Sequence, residues 1–191
     1  MKEATNDLTV LTNGWSRSER IFLKALGAAG FALLTILGAY IRIPLPFTPV
    51  PMTLQTLVVP LAGGFLGAAW GSASMLLYLI MGLLGLNVFA AASGGFGFFL
   101  APTAGYLIGF LLAAAIVGRA CDLKGNGLLL FTALLLSHVV IFACGIGGLM
   151  MNANMSLQQA FVKGVSPFLI GDALKIVVSY SILFSYSRLR R

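Results

Sequence analysis

The feature that most limits how this chain can fold is a succession of six apolar stretches separated by short connections. A membrane-spanning helix needs about 20 mostly apolar residues, because the bilayer core has no water to bind an exposed backbone. Of the 191 residues, 59% are hydrophobic and 9% charged, whereas a soluble domain carries about 25% charged residues. A water-soluble globule is therefore excluded, and the sequence predicts an all-α integral membrane protein with a compact bundle of six transmembrane helices. The stretches cover residues 21–41, 53–66, 67–86, 98–118, 127–150 and 165–187.

The six stretches also define the predicted domains. Residues 1–20 are polar and mixed in charge, which predicts an N-terminal tail on the cytoplasmic side. Residues 21–191 then form a single transmembrane domain. Its second stretch is the shortest, because three glycines, Gly63, Gly64 and Gly67, blur the turn that follows it. We expect this helix to be short or tilted.

The distribution of Lys and Arg predicts the orientation in the membrane. The net charge is +7, but the basic residues stand at the ends of apolar stretches and form no stripe that would bind nucleic acid. Two lie in connections on the outer side, Arg42 and Lys163. Because the side richer in Lys and Arg stays in the cytoplasm, both termini are predicted to be cytoplasmic in the cell membrane. The bases on that side are Lys2, Arg17, Arg20, Lys24, Arg119, Lys124, Arg188, Arg190 and Arg191.

The predicted outer connections have unusual compositions. The first, Arg42-Ile-Pro-Leu-Pro-Phe-Thr-Pro-Val-Pro51, contains four prolines, which forbid a continuous helix and predict a rigid, extended loop. The second, residues 87–97, is apolar but rich in glycine. Irregular backbone at membrane depth is tolerated only where it packs on protein or lines a cavity. These connections therefore indicate a pocket on the outer side.

One pair of opposite charges lies inside the sixth stretch. Asp172 and Lys175 are three positions apart and so share one face of a helix. Counted from Gly164 with a rise of 1.5 Å per residue, they lie about 12 and 16 Å along the helix. Charges at such depth normally face the bundle interior and mark a ligand or ion pathway. An ion pair that only joins helices is the alternative.

Other polar and aromatic residues fall in the outer half of the bundle and would complete a pocket with apolar walls. The residues are Arg42, Thr53, Gln55, Asn87 and Ser93, with Tyr40, Phe47, Phe89 and Tyr106 as walls. His138 has no acidic residue or cysteine at ligand spacing, so we interpret it as a structural histidine, and we predict neither a metal site nor a catalytic residue. The sequence has no P-loop motif for ATP hydrolysis.

Small residues recur at four-residue spacing in several stretches. They occur in residues 63–71 and 105–109, and such spacing permits close helix contact. The first stretch is the best candidate for a face that binds a partner protein, because it is rich in alanine. The residues of this predicted docking face are Ala25, Ala28, Ala29 and Ala32.

Four blocks of sequence closely resemble the BioY family, the biotin-specific S (substrate-binding) components of energy-coupling factor (ECF) transporters. The resemblance covers residues 21–187, with Ala101 as one departure, where the family commonly has glycine. The blocks are Gly38-Ala-Tyr-Ile-Arg-Ile-Pro-Leu-Pro-Phe-Thr-Pro-Val-Pro-Met-Thr-Leu-Gln-Thr56, Gly85-Leu-Asn-Val-Phe-Ala90 with Ser93-Gly-Gly-Phe-Gly97, Ala101-Pro-Thr-Ala-Gly-Tyr106, and Pro167-Phe-Leu-Ile-Gly-Asp-Ala-Leu-Lys175.

The resemblance implies a bundle of the S-component type that binds biotin near its outer face, with no further cofactor. It also implies partners, namely a transmembrane coupling protein (T component) and two cytoplasmic ATPases, with Ala25 and Ala29 on the docking face. In the resulting hypothesis, Asp172 accepts hydrogen bonds from the ureido N–H groups of biotin. Lys175 neutralises this carboxylate and donates to the ureido oxygen. The amides of Asn87 and Gln55 add contacts, and Arg42 attracts the carboxylate tail.

Three other functions fit parts of the sequence. The first is an S component for another vitamin, such as thiamine or riboflavin. The second is a small intramembrane enzyme that uses Asp172, Lys175 and His138, although no nucleophile and base pair is evident. The third is a structural scaffold in which the charge pair has no ligand.

Overall fold

The computed structural model describes residues 16–123 and 126–189. Within these residues the chain folds mainly into α-helices, with one short hairpin and two 3₁₀ turns, at Phe96–Leu100 and Ser166–Phe168. The helices and strands, in chain order, are α1 (Arg17–Tyr40), β1 (Arg42–Ile43), β2 (Met52–Thr53), α2 (Gln55–Leu66), α3 (Ala68–Leu83), α4 (Ala104–Asp122), α5 (Gly127–Asn152), α6 (Leu157–Gly164) and α7 (Leu169–Leu189).

The predicted apolar stretches all form helices, but not all of them have the length of a membrane crossing. In the two described ranges, four helical stretches are long and apolar enough to span a bilayer: Arg17–Tyr40, Ala104–Asp122, Gly127–Asn152 and Leu157–Leu189. The last of these comprises α6, the second 3₁₀ turn and α7. The 12 residues of α2 and the 16 residues of α3 are apolar but shorter. At 1.5 Å per residue they extend about 18 and 24 Å, against roughly 30 Å of hydrocarbon. Six complete crossings therefore remain a prediction.

The start of α1 corrects the predicted boundary of the N-terminal tail. The helix begins at Arg17, inside the segment assigned to the tail, because Ser16 and Glu19 form a capping box. In this motif the Ser16 side chain accepts from the Glu19 backbone N–H while the Glu19 carboxylate accepts from the Ser16 N–H. Residues 1–15 of the tail lie outside the described residues, as do four of the bases used to predict orientation: Lys2, Lys124, Arg190 and Arg191.

The connection between the fifth and sixth apolar stretches, residues 151–164, contains a helix that was not predicted. A second capping box, formed by Ser156 and Gln159, starts α6. The 3₁₀ turn Ser166–Phe168, which contains Pro167, then separates α6 from α7, so α7 begins only at Leu169. Asp172 consequently lies in the first turn of α7. Counted from Leu169, Asp172 and Lys175 lie about 4.5 and 9 Å along the helix instead of the 12 and 16 Å predicted.

Two other connections also differ from the predicted boundaries. The proline-rich loop is non-helical as predicted, and its ends pair as an antiparallel hairpin in which Arg42 is opposite Thr53. The fourth apolar stretch was predicted to be helical from residue 98. It instead begins with the 3₁₀ turn Phe96–Leu100, and α4 starts at Ala104, after Pro102. A proline is poorly tolerated inside a helix because it lacks an N–H and clashes with the preceding turn.

Glycines allow α4 to pack at the centre of the bundle, against α2, α3 and α5. A Cβ atom at Gly63 of α2 would lie 2.1 Å from the backbone oxygen of Ala114. A Cβ atom at Gly105 of α4 would lie 2.1 Å from the backbone oxygen of Cys144 on α5. The glycines at four-residue spacing thus serve helix contacts within the chain, since larger residues would push the backbones apart.

The bundle has two different ends. At the first, the Asp122 carboxylate at the end of α4 accepts from the Ala68 N–H at the start of α3, with N···O 3.0 Å. This end also carries the described bases Arg17, Arg20, Lys24, Arg119 and Arg188, and we call it the basic end. The opposite end holds the hairpin, residues 84–103 and α6, and we call it the pocket end.

Candidate functional site

A cavity opens at the pocket end, between β2, the first turn of α2, residues 90–103 and the nearby parts of α4, α5 and α7. Together with the open space at its mouth it contains about 570 Å³ not filled by atoms. Its walls are mostly apolar, with a few polar side chains. The lining residues are Val50, Pro51, Thr53, Gln55, Thr56, Ala90, Phe98, Thr103, Tyr106, Leu107, Phe110, Ile141, Phe142, Phe168, Asp172 and Lys175.

The predicted charge pair lines this cavity. Lys175 Nζ lies 2.6 Å from Asp172 Oδ1, and the two side chains are 12% and 6% exposed. Lys175 also donates to the backbone oxygen of Thr53 and to Thr56 Oγ1, each at 2.8 Å. The Thr56 hydroxyl in turn donates to Asp172 Oδ1 at 2.9 Å. The pair is therefore both tied to β2 and α2 and open to the cavity.

The hydrogen bonds use all the donors of Lys175 but leave one carboxylate oxygen of Asp172 unused by the described residues. An ammonium group has three donors, and the three acceptors around Lys175 use all of them. Asp172 Oδ1 accepts two hydrogen bonds, whereas Oδ2 makes none with the described residues. The position of Asp172 in the first turn of α7 further stabilises its negative charge, since a helix N-terminus carries partial positive charge. The site thus offers a carboxylate oxygen as an available acceptor.

Gln55 is held in the same region by its neighbours. Its side-chain amide donates to the Tyr78 hydroxyl at 2.7 Å, and its Oε1 atom accepts from Thr53 Oγ1 at 3.3 Å. Gln55 is only 3% exposed. Because the amide nitrogen carries two hydrogens and one is used, Gln55 retains a donor for a ligand.

Tyr106 contributes a wall of the cavity and also holds the end of α6. Its hydroxyl donates to the Gly164 backbone oxygen at 2.8 Å. The ring fits only because Gly145 of α5 has no side chain, since a Cβ atom there would lie 2.3 Å from the ring. Four phenylalanines complete the aromatic part of the wall: Phe98, Phe110, Phe142 and Phe168.

Six of the predicted site residues do not line the cavity: Tyr40, Arg42, Phe47, Asn87, Phe89 and Ser93. The Tyr40 hydroxyl donates to the Asn87 backbone oxygen at the exposed surface of the pocket end. Arg42 is exposed on β1. Phe89 is fully buried behind the wall, with its ring centroid 4.4 Å from that of Phe98. Ser93 donates to the Ala90 backbone oxygen at 2.7 Å, which shapes the loop.

The other aromatic candidate, Phe47, is exposed in the proline-rich loop and does not line the cavity. By contrast Thr53, Gln55, Tyr106, Asp172 and Lys175 do line it. Thr56 was part of a quoted sequence block but received no role. In the predicted helical stretch 53–66 its position three residues after Thr53 would place both on one face, but Thr53 belongs to β2 and lies before α2.

Only part of the predicted docking face on α1 is accessible on the surface of the chain. Ala28 and Ala32 are 5% and 1% exposed, and the Ser74 hydroxyl of α3 donates to the Ala28 backbone oxygen at 2.7 Å. The prediction that these two alanines face a partner is therefore wrong, because they pack inside the chain. Ala25 is exposed and Ala29 half-buried, so those two remain candidates for a partner surface.

His138 is buried in α5, as expected of a structural residue, but its hydrogen bonding is incomplete. Nδ1 lies 3.0 Å from the Leu134 backbone oxygen, and a carbonyl can only accept, so Nδ1 carries the proton. Among the described residues, His138 Nε2 and Ser179 Oγ are the buried side-chain polar atoms without a partner. Neither residue lines the cavity.

Comparison with known proteins gives consistent matches. The family model described as "BioY family" matches residues 12–191, a range that includes every residue lining the cavity. The chain is 39% identical over 145 residues to "Probable biotin transporter BioY" of Pyrococcus horikoshii, covering 76% of this chain and 84% of that protein. It is 35% identical over 163 residues to "Biotin transporter BioY" of Thermotoga maritima, covering 83% and 92%.

A solved structure is similar in fold. It is a crystal structure described as the S-component for biotin from an ECF-type ABC transporter. The two structures superpose with a TM-score of 0.79 at 26% sequence identity, and the match covers 93% of this chain and 95% of that one.

Proposed function

The chain belongs to the BioY family, and we propose that it is the biotin-binding S component of an ECF transporter. It captures biotin in the cavity at the pocket end. The observation that carries this proposal is the buried network of Asp172, Lys175 and Thr56, which leaves one carboxylate oxygen available in an otherwise apolar cavity. The names of the similar proteins support biotin as the ligand.

The chemistry of biotin matches this arrangement. Asp172 Oδ2 accepts a hydrogen bond from a ureido N–H, and a charge-assisted bond of this kind is about twice as strong as a neutral one. The remaining donor of Gln55 binds the ureido oxygen. The aromatic walls cover the thioether ring. Lys175 has a different role from the one first expected: because its three donors are used within the protein, it holds the carboxylate instead of binding the ligand.

Several of the predicted residues act at the mouth of the cavity. The exposed guanidinium of Arg42 attracts the carboxylate tail of biotin. Tyr40 and Asn87 join α1 to the glycine-rich connection, and Ser93 and Phe89 shape that connection behind Phe98.

We also propose the orientation and the source of energy. The basic end faces the cytoplasm, since Lys and Arg favour that side, and the pocket end faces outward. The sequence has no P-loop motif, so transport is driven by two cytoplasmic ATPases through a transmembrane coupling protein, which docks at Ala25 and Ala29. Residues 1–15 belong to the cytoplasmic side.

Isothermal titration of the detergent-purified chain tests the ligand. We expect saturable binding of biotin and none of thiamine or riboflavin. Asp172→Asn should lower the affinity for biotin well over tenfold, because a neutral amide is a weaker acceptor and Lys175 loses its counter-charge. The control is Glu19→Gln at the basic end, which keeps a side chain suited to the capping box and should bind biotin normally. Binding of another vitamin but not biotin, or normal affinity in Asp172→Asn, would refute the proposal.

A further inference from the structure

The short helix α6 presents three different faces within little more than two turns. Ala160 and Gly164, four positions apart, form its buried face. A Cβ atom at Gly164 would lie 2.4 Å from the Leu149 side chain of α5 and 2.5 Å from the Tyr106 hydroxyl of α4. This face is therefore in close contact with the bundle and has no room for a larger residue.

The two exposed edges of α6 differ in polarity. Leu157 and Phe161 form one edge and are 62% and 49% exposed. Gln159 and Lys163 form the other edge and are exposed as well. Because a helix turns by about 100° per residue, the apolar edge lies about 160° from the polar edge, which places them on opposite sides of the helix. The outward positions between the two edges are Gln158 and Val162.

The helix α7 leaves no part of a membrane crossing for α6 to complete. The 21 residues of α7 extend about 32 Å, close to the roughly 30 Å of a hydrocarbon core. Before α7, the backbone departs from helical geometry at Val165, with φ −125° and ψ −57°, and the 3₁₀ turn Ser166–Phe168 follows. The eight residues of α6, about 12 Å long, therefore form a separate segment, which packs against α5.

Two hydrogen bonds hold the end of α6 at the pocket end. The Lys163 backbone oxygen accepts from Thr48 Oγ1 at 2.7 Å, and the Gly164 backbone oxygen accepts from the Tyr106 hydroxyl at 2.8 Å. The last carbonyls of a helix have no donor within the helix, so they depend on such outside donors. The helix is thus tied to the proline-rich loop and to α4, which keeps its apolar edge outward.

The segments before and after α6 also expose apolar side chains. Met151 lies at the end of α5, and Leu169 and Ile170 begin α7. The chain belongs to a family of membrane transporters, so such side chains on its long helices face lipid acyl chains. Along the chain, α6 stands between these two lipid-facing segments. A helix with one apolar and one polar side is typical of the boundary between acyl chains and headgroups, and a lysine side chain is long enough to extend into the headgroup layer.

We propose that α6 is an interfacial helix that lies in the leaflet at the pocket end, with phospholipids as its partner. Leu157 and Phe161 insert among the acyl chains. Gln159 and Lys163 lie in the headgroup layer, where phosphate groups surround the Lys163 ammonium. This inference goes beyond the proposed function, because it depends neither on the ligand nor on the side of the membrane that the pocket end faces.

Nitroxide labels measure the depth of each edge. The chain carries Cys121→Ala and Cys144→Ala and is reconstituted in phosphatidylcholine nanodiscs. Power-saturation EPR compares the accessibility of each label to O₂, which partitions into lipid, and to a water-soluble nickel chelate. We expect labels on the apolar edge to favour O₂ and to lie about 5–10 Å below the phosphates, and labels on the polar edge to favour the chelate. The single labelling sites are Leu157→Cys, Phe161→Cys, Gln159→Cys and Lys163→Cys.

Two control labels calibrate the accessibilities. Val177→Cys, exposed in the middle of α7, should report lipid, and Ser18→Cys, exposed in the first turn of α1, should report water. A second measurement keeps both native cysteines and serves if the chain without them does not fold. In it, brominated acyl chains should quench the added fluorescence of Phe161→Trp more strongly than that of Lys163→Trp.

The possible outcomes are distinct. Lipid exposure at Leu157 and Phe161 with water exposure at Gln159 and Lys163 would support the interfacial position. Water exposure at all four positions would show that α6 stands outside the bilayer, and lipid exposure at all four would show that it is immersed in the hydrocarbon. Either result would overturn the inference, as would equal quenching of the two added tryptophans. These measurements do not depend on biotin binding, so failure of the proposed function and failure of this inference are distinguishable.

Discussion

Removal of the Lys175 ammonium should strongly destabilise the folded chain. In Lys175→Met the side chain keeps its length, but Asp172 becomes a buried carboxylate without its counter-charge. The destabilisation should be large because both side chains are nearly buried and the variant removes the three hydrogen bonds that Lys175 donates. Breaking a buried ion pair in this way costs about 3–5 kcal/mol.

The expected change can be measured by thermal unfolding in detergent, followed by circular dichroism. For a chain of this size, 1 kcal/mol corresponds to about 2–4 °C, so Tm should fall by about 6–20 °C. The matched control is Lys163→Met, which removes an exposed lysine at the pocket end and should change the free energy of unfolding by less than about 0.5 kcal/mol.

A double variant separates stability from binding. In Asp172→Leu with Lys175→Met, two apolar side chains replace the pair, and such replacements are often neutral or stabilising. We expect Tm to return to within a few degrees of the original value, whereas biotin binding should be abolished because the Asp172 carboxylate is gone. A decrease in Tm of less than about 2 °C in Lys175→Met would contradict the buried network. Biotin binding by the double variant would contradict the role of this network as the ligand site.

Three other predictions follow from packing, hydrogen bonding and charge. Gly63→Ala places a Cβ against a carbonyl of α4 and should lower the free energy of unfolding by about 3 kcal/mol. Gly30→Ala, in open space on α1, should raise it by about 0.5–1 kcal/mol. Equal Tm values for the two variants would contradict the close contact of α2 with α4. Ser74→Ala removes a buried bond between helices and should cost about 1 kcal/mol, whereas Ser179→Ala removes a hydroxyl without a partner and should change Tm by less than about 2 °C; a larger loss in the second would show a partner outside the described residues. Arg42→Gln should lower biotin affinity by up to about fivefold at low salt and leave that of biotin methyl ester unchanged; equal losses in titrations of the two ligands would show that Arg42 does not act on the tail.

Local patterns in the sequence predicted the parts of the structure that depend on neighbours along the chain. Apolar stretches predicted the helices, and the prolines of residues 44–51 predicted a non-helical loop. The three-residue spacing of Asp172 and Lys175 predicted that they share a face, because a helix repeats every 3.6 residues. The two capping boxes, formed by Ser16 and Ser156, were not recognised, so the start of α1 was misplaced and α6 was not predicted.

Which face of each helix points inward was decided only by the tertiary structure. In a soluble helix the buried face is apolar and the exposed face polar, but in a membrane both are apolar, so the sequence contains little contrast between them. The inward position of Ala28 and the position of Phe89 behind the cavity wall were therefore not predictable. Nor was the role of Thr56, since the hydroxyl reaches Asp172 across 116 positions of sequence, and only the packing of α2 against α7 brings the two together.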